Sequence, residues 1–294
     1  MRIAVSGSHG MIGGAVVKRL GAEGAEVVRL ARGEARGAGE IALPMKGEGD
    51  LSRLEGLDGV VHLAGEPIMG RWTAEKKERI RRSRVEGTAT LSGALAGLAQ
   101  KPAVMVCASA IGYYGHSGDR WVDEQSAAGE GFLAEVCRDW EAATGAAREA
   151  GIRVVNLRIG LVLSGEGGAL KKMLPMFRLG LGGPIADGST WWSWIALEDL
   201  VGVIVHALQA AELSGPVNAV GPYPVTNKEF TKALGRVLGR PTVLSVPAFV
   251  LRAVMGEMAE EMVLSGQRVR SKQLEASGFR FKYRQLEAAL RAMV

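Results

Sequence analysis

Short apolar runs alternate with longer amphipathic segments through the first half of the chain, a pattern that predicts a parallel sheet covered by helices. The runs at Arg2–Ser6, Glu26–Leu30, Val60–Leu63, Ala103–Cys107 and Arg153–Leu157 predict strands, and one more follows at Pro216–Val220. Helical spacing runs from Met11 to Ala22, from Glu75 to Leu98 and from Phe132 to Ala150. The last of these carries Phe132, Val136, Trp140 and Ala143 on one face. The expected fold is α/β, a doubly wound parallel sheet with a small, mainly helical C-terminal part.

After Arg158 the texture changes. Gly165-Glu166-Gly167-Gly168 and Gly180-Leu181-Gly182-Gly183-Pro184 bracket a helical piece, and a Trp-rich loop follows. Loops of this kind line sites. A helix capped by Thr226 or Asn227, with Glu229 in its first turn, opens the C-terminal part. This divides the chain into residues 1–225, holding a substrate loop at 164–194, and a mainly helical substrate or lid domain at 226–294.

Composition narrows the class. With 47% hydrophobic and 23% charged residues, 294 residues can bury a sizeable core, so disorder and a disulfide scaffold are poor readings. The 41 glycines follow no triplet period, which excludes collagen. A net charge of +5 suits an anionic partner. The densest basic run, Lys76 to Arg84, has Glu75 just before it and Glu78 within it and reads as a solvated helix face, so no nucleic-acid partner is expected. Cys107 and Cys137 share no metal-type spacing, and no metal is expected. Two cysteines without a disulfide framework point to the reducing cytoplasm. No apolar run approaches the ~18 residues of a membrane span, and the chain enters its first strand without a leader-like segment. A soluble chain with no membrane partner is the expectation.

Candidate chemistry begins at Ser6-Gly7-Ser8-His9-Gly10-Met11-Ile12-Gly13, between the first strand and the first helix. That is the context of the dinucleotide fingerprint. Gly7 makes the tight turn, Gly10 admits a pyrophosphate to the backbone, and Gly13 lets the helix pack on the sheet. The helix N-terminus supplies free N–H groups for the anion, with Ser8, His9, Met11 and Ile12 completing the loop. His9 is expected to face solvent beside the pyrophosphate. An NAD-selective site places a carboxylate at the tip of the second strand. Here that tip reads Val28-Arg29-Leu30-Ala31-Arg32-Gly33. Arg29 and Arg32 offer guanidinium forks for a 2′-phosphate, so NADP(H) is preferred over NAD(H). The alternatives are that Glu34 swings back or that both arginines are solvated.

Val61-His62-Leu63-Ala64-Gly65-Glu66, Ala108-Ser109-Ala110-Ile111-Gly112-Tyr113-Tyr114-Gly115 and Leu157-Arg158-Ile159-Gly160 resemble the extended short-chain dehydrogenase/reductase superfamily over about residues 1–225. Arg71-Trp72, Lys77, Ser83-Arg84, Asp139-Trp140-Glu141, Ser193-Trp194-Ile195 and Asp199 narrow it. They look like the atypical NAD-dependent epimerase/dehydratase family, whose C-terminal domain of unknown function would cover about residues 245–291. The resemblance implies a Rossmann fold, with Leu63, Ala64 and Gly65 passing under the cofactor riboses. It also places Leu157 to Ile159, Arg158 among them, beside the nicotinamide. It implies a homodimer through the helices at 75–98 and 132–150.

Active members of the superfamily use a Tyr-x-x-x-Lys pair on the helix after the fifth strand. Registered on Glu141, that helix puts Leu133 at the Tyr position and Cys137 at the Lys position. Both groups are missing, and no Tyr or Lys occurs from Gly129 to Ala150. The usual Ser/Thr position falls on Ala110, with Ser109 one residue earlier and reachable by a one-residue loop difference. Candidate catalytic residues are therefore Ser109, which would also face the cofactor, and Tyr113. Glu66, Tyr114 and Cys137 are further proton-transfer groups, although Cys137 reads as a buried thiol. Glu66, Tyr113, Tyr114, Trp192 and Trp194 are the candidate substrate-binding residues; the tryptophans either form a stacking wall or seal the junction between the two parts. Two functional readings follow. One is an NADP(H)-dependent, epimerase-like oxidoreductase or isomerase acting on a small or nucleotide-linked substrate. The other is a catalytically degenerate NADP(H)-binding sensor or partner-binding protein. A structural protein keeping only a relic of the loop is a third.

Overall fold

Successive side chains of a strand point to opposite faces, so a sheet buried on both sides needs apolar residues at both parities. That is the composition of the first-half runs, and they pair into one parallel sheet. In the computed structural model, which describes residues 1–32, 39–43 and 51–294, the N-terminal half runs β1 (Arg2–Ser6), α1 (Met11–Ala22), β2 (Glu26–Arg32), β3 (Glu40–Leu43), β4 (Gly59–His62), α2 (Ala74–Ala96), β5 (Val104–Ala110), β6 (Trp121–Val122), α3 (Phe132–Ala142) and α4 (Gly145–Glu149). It continues through β7 (Arg153–Ile159), β8 (Leu161–Leu163), α5 (Gly168–Arg178), β9 (Trp191–Trp192), β10 (Trp194–Ala196), α6 (Leu197–Gln209) and β11 (Gly215–Ala219). The rest is β12 (Val225–Thr226), α7 (Asn227–Leu238), α8 (Ala248–Met255), β13 (Arg268–Val269), α9 (Lys272–Ala276) and α10 (Leu286–Met293).

The main sheet has the order β3-β2-β1-β4-β5-β7-β11, every neighbour parallel. Chain order reverses between β1 and β4, which opens a crevice at the carboxyl ends of those strands. Val61, Val106, Val155 and Leu157 cover one face together with Val16 and Leu20 of α1 and Ile204 and Leu208 of α6. Val60, Met105, Cys107 and Val154 cover the other with Leu91 and Leu95 of α2, Trp140 of α3 and Ala147 of α4.

Two expectations differ from the structure. The helix expected over 132–150 is two helices, because Thr144 is fully buried and its hydroxyl donates to the Glu141 carbonyl. The freed N–H of Ala147 is taken by the Ser92 hydroxyl of α2 at 2.8 Å. A local side-chain bond here competes with the helical ladder, and a neighbouring helix accepts the consequence. The edge strand β3 carries no long apolar run and was not expected. The third core lies away from the sheet: Leu163, Leu170, Leu174, Phe177 and Trp194 pack with Phe230 and Leu234 of α7 and Leu286 and Leu290 of α10. The 164–194 segment and the C-terminal helices therefore share one core. Thr226 caps α7 in a full capping box with Glu229.

Candidate cofactor and substrate site

The phosphate loop is fixed by its own glycines. Ser6 ends β1, and its hydroxyl accepts the N–H groups of Leu63 (3.1 Å) and Ala64 (3.2 Å) at the end of β4. Its own proton then goes to Nδ1 of the buried His62, 2.7 Å away. Burial holds His62 neutral, with its pKa lowered to about 4. Gly7 has φ +68°, and a Cβ there would lie 2.8 Å from the Leu63 carbonyl. A Cβ on Gly13 would lie 2.2 Å from the Gly7 oxygen. Gly10 differs: its nearest neighbour would be that oxygen at 3.3 Å, so the side facing the crevice is open. Gly10 caps α1 without a side-chain hydrogen bond, leaving the first-turn N–H groups available. The Ser8 hydroxyl is buried and has no partner among the described residues. An open backbone cradle, a helix N-terminus and an orphaned hydroxyl fit the diphosphate of a dinucleotide. Met11 packs on Gly167 and Gly168, bringing the substrate loop onto this one, and Ile12 packs on the sheet. His9 is exposed and stands 3.6 Å from Glu40.

At the adenosine end β2 is longer than expected and runs to Arg32. Arg29 is consequently three residues inside the strand, half-buried, with its N–H bonded to the Gly39 carbonyl at 2.9 Å. This corrects its assignment to the tip. Arg32 ends the strand; its side chain, like Glu34, lies outside the described residues.

The other end is built from side chains far apart in sequence. Leu63, Ala64 and Gly65 leave β4 half-buried at the crevice. Leu133 lies against the turn at Gly112, where a Cβ would be 3.4 Å from that of Leu133 and 4.0 Å from the Cys137 sulfur. The two positions of the missing pair thus face the Ile111–Tyr114 turn as an apolar side chain and a buried thiol. Burial pushes the Cys137 thiol up to about 12, so it is inert at neutral pH. Ser109 is buried and donates to Glu141 at 2.7 Å. The same carboxylate takes Nε and Nη2 of Arg158 at 2.8 and 2.9 Å. Burial works against the Arg158 charge, but this bidentate partner keeps its pKa raised.

Three residues expected at the ligand have buried side chains with partners inside the protein. The Arg158 side chain is 3% exposed and spent on Glu141 and Tyr114. Tyr114 is 2% exposed; its hydroxyl donates to Asn218 at 2.7 Å, and burial raises its pKa to about 12. It is a structural post. Trp194 is fully buried and donates to the Tyr223 carbonyl at 2.9 Å, so it seals the third core. Trp192 is half-buried, tilted on Phe230 with centroids 4.9 Å apart.

Tyr113 is the aromatic that stays open. Its ring is half-buried and lies over the Arg158 guanidinium at 3.4 Å, and its hydroxyl makes no hydrogen bond among the described residues. Glu66 is turned toward Lys76, 2.7 Å away. A cavity of about 390 Å³ lies beside the Ile111–Tyr114 turn, lined by Gly112, His116, Glu130, Leu133, Glu261 and Gln267. Glu261 comes from the C-terminal part and accepts the N–H groups of Phe132 (3.1 Å) and Leu133 (3.2 Å) at the start of α3. Sequence reasoning missed Glu261, which no local motif announces. Among the described residues no cluster of His, Cys, Asp or Glu could hold a metal, and no helix is long and apolar enough to cross a membrane.

Sheet order, glycine loop and crevice together define a dinucleotide-binding Rossmann protein of the extended short-chain dehydrogenase type. Residues 3–221 match the NAD dependent epimerase/dehydratase family and residues 246–293 a domain of unknown function, so the chain belongs to that epimerase family. It is 44% identical to the epimerase family protein ML0860 of Mycobacterium leprae, over 98% of this chain and 94% of that one. Human epimerase family protein SDR39U1 (isoform 2), solved with NADPH, superposes with a TM-score of 0.91 at 35% identity, covering 100% of this chain and 99% of that one. A nucleoside-diphosphate sugar epimerase of Corynebacterium glutamicum superposes with a TM-score of 0.82 at 38% identity, covering 99% of this chain and 57% of that longer one.

Proposed function

We propose that the chain is an NADP(H)-binding, epimerase-like oxidoreductase acting on a small or nucleotide-linked substrate, with Tyr113 as the proton-transfer group. The observation that carries the reading is the contrast between Gly7 and Gly13, closed against backbone, and Gly10, open toward the crevice. Packing accounts for Gly7 and Gly13 but not for Gly10, and a loop whose backbone a pyrophosphate approaches accounts for all three. The human relative solved with NADPH supports the choice of cofactor. Arg32, at the end of β2, is the residue for the 2′-phosphate. When bound, the cofactor supplies hydride transfer at its nicotinamide. The chain's own groups orient it: the N-terminus of α1 holds the diphosphate, and Tyr113, next to the cavity-lining Gly112, offers a hydroxyl with no hydrogen-bond partner among the described residues. Ser109 acts as a positioning residue, since its hydroxyl is committed to Glu141. Two buried free thiols suit a reducing compartment, the cytoplasm in this reading.

A second reading has a specific observation behind it. Leu133 and Cys137 replace the catalytic pair with groups that cannot move protons at neutral pH, which favours an NADP(H)-binding sensor. Thermal unfolding with NADPH, NADP⁺, NADH and NAD⁺ at equal concentration tests the shared part. Ligand at ~100 times its Kd adds about 2.7 kcal/mol, several degrees for a chain of this size. A shift with the two phosphorylated cofactors alone is expected, and no shift with any sinks both readings. Hydride exchange between bound NADPH and a panel of carbonyl and nucleotide-sugar substrates then separates enzyme from sensor.

A further inference from the structure

Charge is unevenly spread along the chain. Residues 167–186 and 230–256 hold seven Lys and Arg and no Asp or Glu, against a net charge of +5 for all 294 residues. The two stretches meet in the fold. Leu174 and Phe177 of α5 share the third core with Leu234 of α7. Beyond these helices the chain runs beside itself: the Ala186 N–H donates to the Val246 carbonyl and the Val246 N–H to the Pro184 carbonyl, both at 2.9 Å. A cavity of about 370 Å³ opens at the end of α7, lined by Lys232, Arg236 and Arg240 with Gly235, Gly239 and Thr242. Arg236 has Glu287 as a partner at 2.9 Å, whereas Lys232 and Arg240 make no ion pair among the described residues.

The same two stretches expose large apolar side chains. Val243 is 79% exposed, Val254 72%, Leu179 71% and Phe249 70%. Helix α8, which begins two residues after Val246, buries none of its residues. Single exposed apolar residues are ordinary, but a set of them on neighbouring segments marks a contact surface. Charge and shape select what covers it. A second copy of the chain would set the same cations against themselves. A protein partner receives apolar side chains in pockets cut to their shape, and these side chains stand almost wholly clear of their own surface. A bilayer takes protruding apolar groups of any shape, and its headgroups supply the anions that the carboxylate-free segments lack.

We propose that this surface rests on an anionic lipid bilayer, with Val243, Phe249 and Val254 entering the interface and Lys232 and Arg240 taking a lipid phosphate at the cavity beside them. It replaces the expectation of a chain with no membrane partner and stands apart from the NADP(H) reading. The contact is peripheral, since no helix among the described residues is long and apolar enough to cross a membrane. Both parts are needed: a few short apolar side chains bind an interface weakly, and cations within a Debye length of an anionic leaflet add to them.

The test sediments the full chain with vesicles of phosphatidylcholine alone and of phosphatidylcholine with about a third phosphatidylglycerol. Affinity for the anionic vesicles is expected to be about tenfold or more higher than for the neutral ones and to fall as salt is raised. The double variants Phe249→Ser with Val254→Ser and Lys232→Gln with Arg240→Gln should each weaken anionic-vesicle binding about tenfold or more at an unchanged unfolding temperature. If one of them does not fold, the other decides by the same criterion. No binding to anionic vesicles, equal binding to both kinds, or indifference to the variants overturns the proposal. Inorganic phosphate at matched ionic strength should leave vesicle binding in place; full displacement by it overturns the proposal in favour of a site for free phosphate. Tighter binding to poly-glutamate than to the anionic vesicles overturns it in favour of an acidic protein.

Discussion

The two ends of the cofactor crevice are built from different materials. The end proposed for the diphosphate is backbone: eight consecutive residues, three glycines and a helix N-terminus, with Ser6 and His62 bracing the loop from beneath. The end proposed for the nicotinamide is side chain, drawn from α2, β5, α3, β7 and the C-terminal part, and most of its buried polar groups satisfy one another. Ser109, Glu141, Arg158, Tyr114 and Asn218 form a continuous buried chain of hydrogen bonds. A site made of N–H groups tolerates little change, because any Cβ intrudes. A site made of side chains can be rewired, and here the catalytic pair has given way to Leu133 and Cys137 while Glu141 has become a structural anchor.

The largest expected effect breaks the side-chain end. Glu141→Ala leaves the Arg158 guanidinium buried without its carboxylate and should cost about 3–5 kcal/mol in urea unfolding at neutral pH. A cost below 1 kcal/mol would mean that water reaches the network.

Next comes the brace under the diphosphate end. His62 has a folded pKa of about 4, below its unfolded value of about 6.5, so between those values the unfolded chain binds the extra proton. The contribution is fully present above about 6.5 and is lost as pH falls toward 4. About 3 kcal/mol of stability should disappear over that window. His62→Gln should flatten the profile there; an unaltered slope would assign the loss to carboxylates.

Gly13→Ala should cost about 1–3 kcal/mol through its clash with the Gly7 carbonyl and should abolish NADPH binding. Retained affinity would show the loop to be more pliant than a backbone cradle allows. The smallest effect on stability sharpens the comparison most. Tyr113→Phe should change the unfolding free energy by less than ~0.5 kcal/mol and leave NADPH affinity intact, while lowering turnover by about 10²-fold or more. Unchanged turnover removes Tyr113 from the mechanism.

The contrast also explains what could be read beforehand. The phosphate loop was legible because its chemistry is local: strand, glycines at fixed spacing and helix follow one another in sequence. The absence of the Tyr and Lys was equally legible, since it needed only a register within one helix. Arg29 was placed at the wrong point because strand ends depend on pairing with β3, which no apolar run announced. In the sequence Tyr114 reads as a polar group on a site-facing loop and Trp194 as either a stacking wall or a seal between the two parts of the chain. The structure spends them instead on Asn218 and on the Tyr223 carbonyl, partners 104 and 29 residues away. Dimerisation through α2 and α3 stays a proposal; these helices already pair within the chain through Trp140 and Thr88 at 2.9 Å and an Arg81–Asp139 ion pair. A concentration series by sedimentation showing a strict monomer would remove it.

By itself the sequence determined the fold class and the family, and it carries the glycine loop between β1 and α1 and the lack of any Tyr or Lys from Gly129 to Ala150, because each is written in the order and spacing of neighbouring residues. Only the tertiary structure decided which polar side chains are spent holding the core and which still face the crevice. Burial and hydrogen-bond satisfaction belong to residues that meet across the fold, and that is why Arg158 turned inward while the Tyr113 hydroxyl has no partner among the described residues.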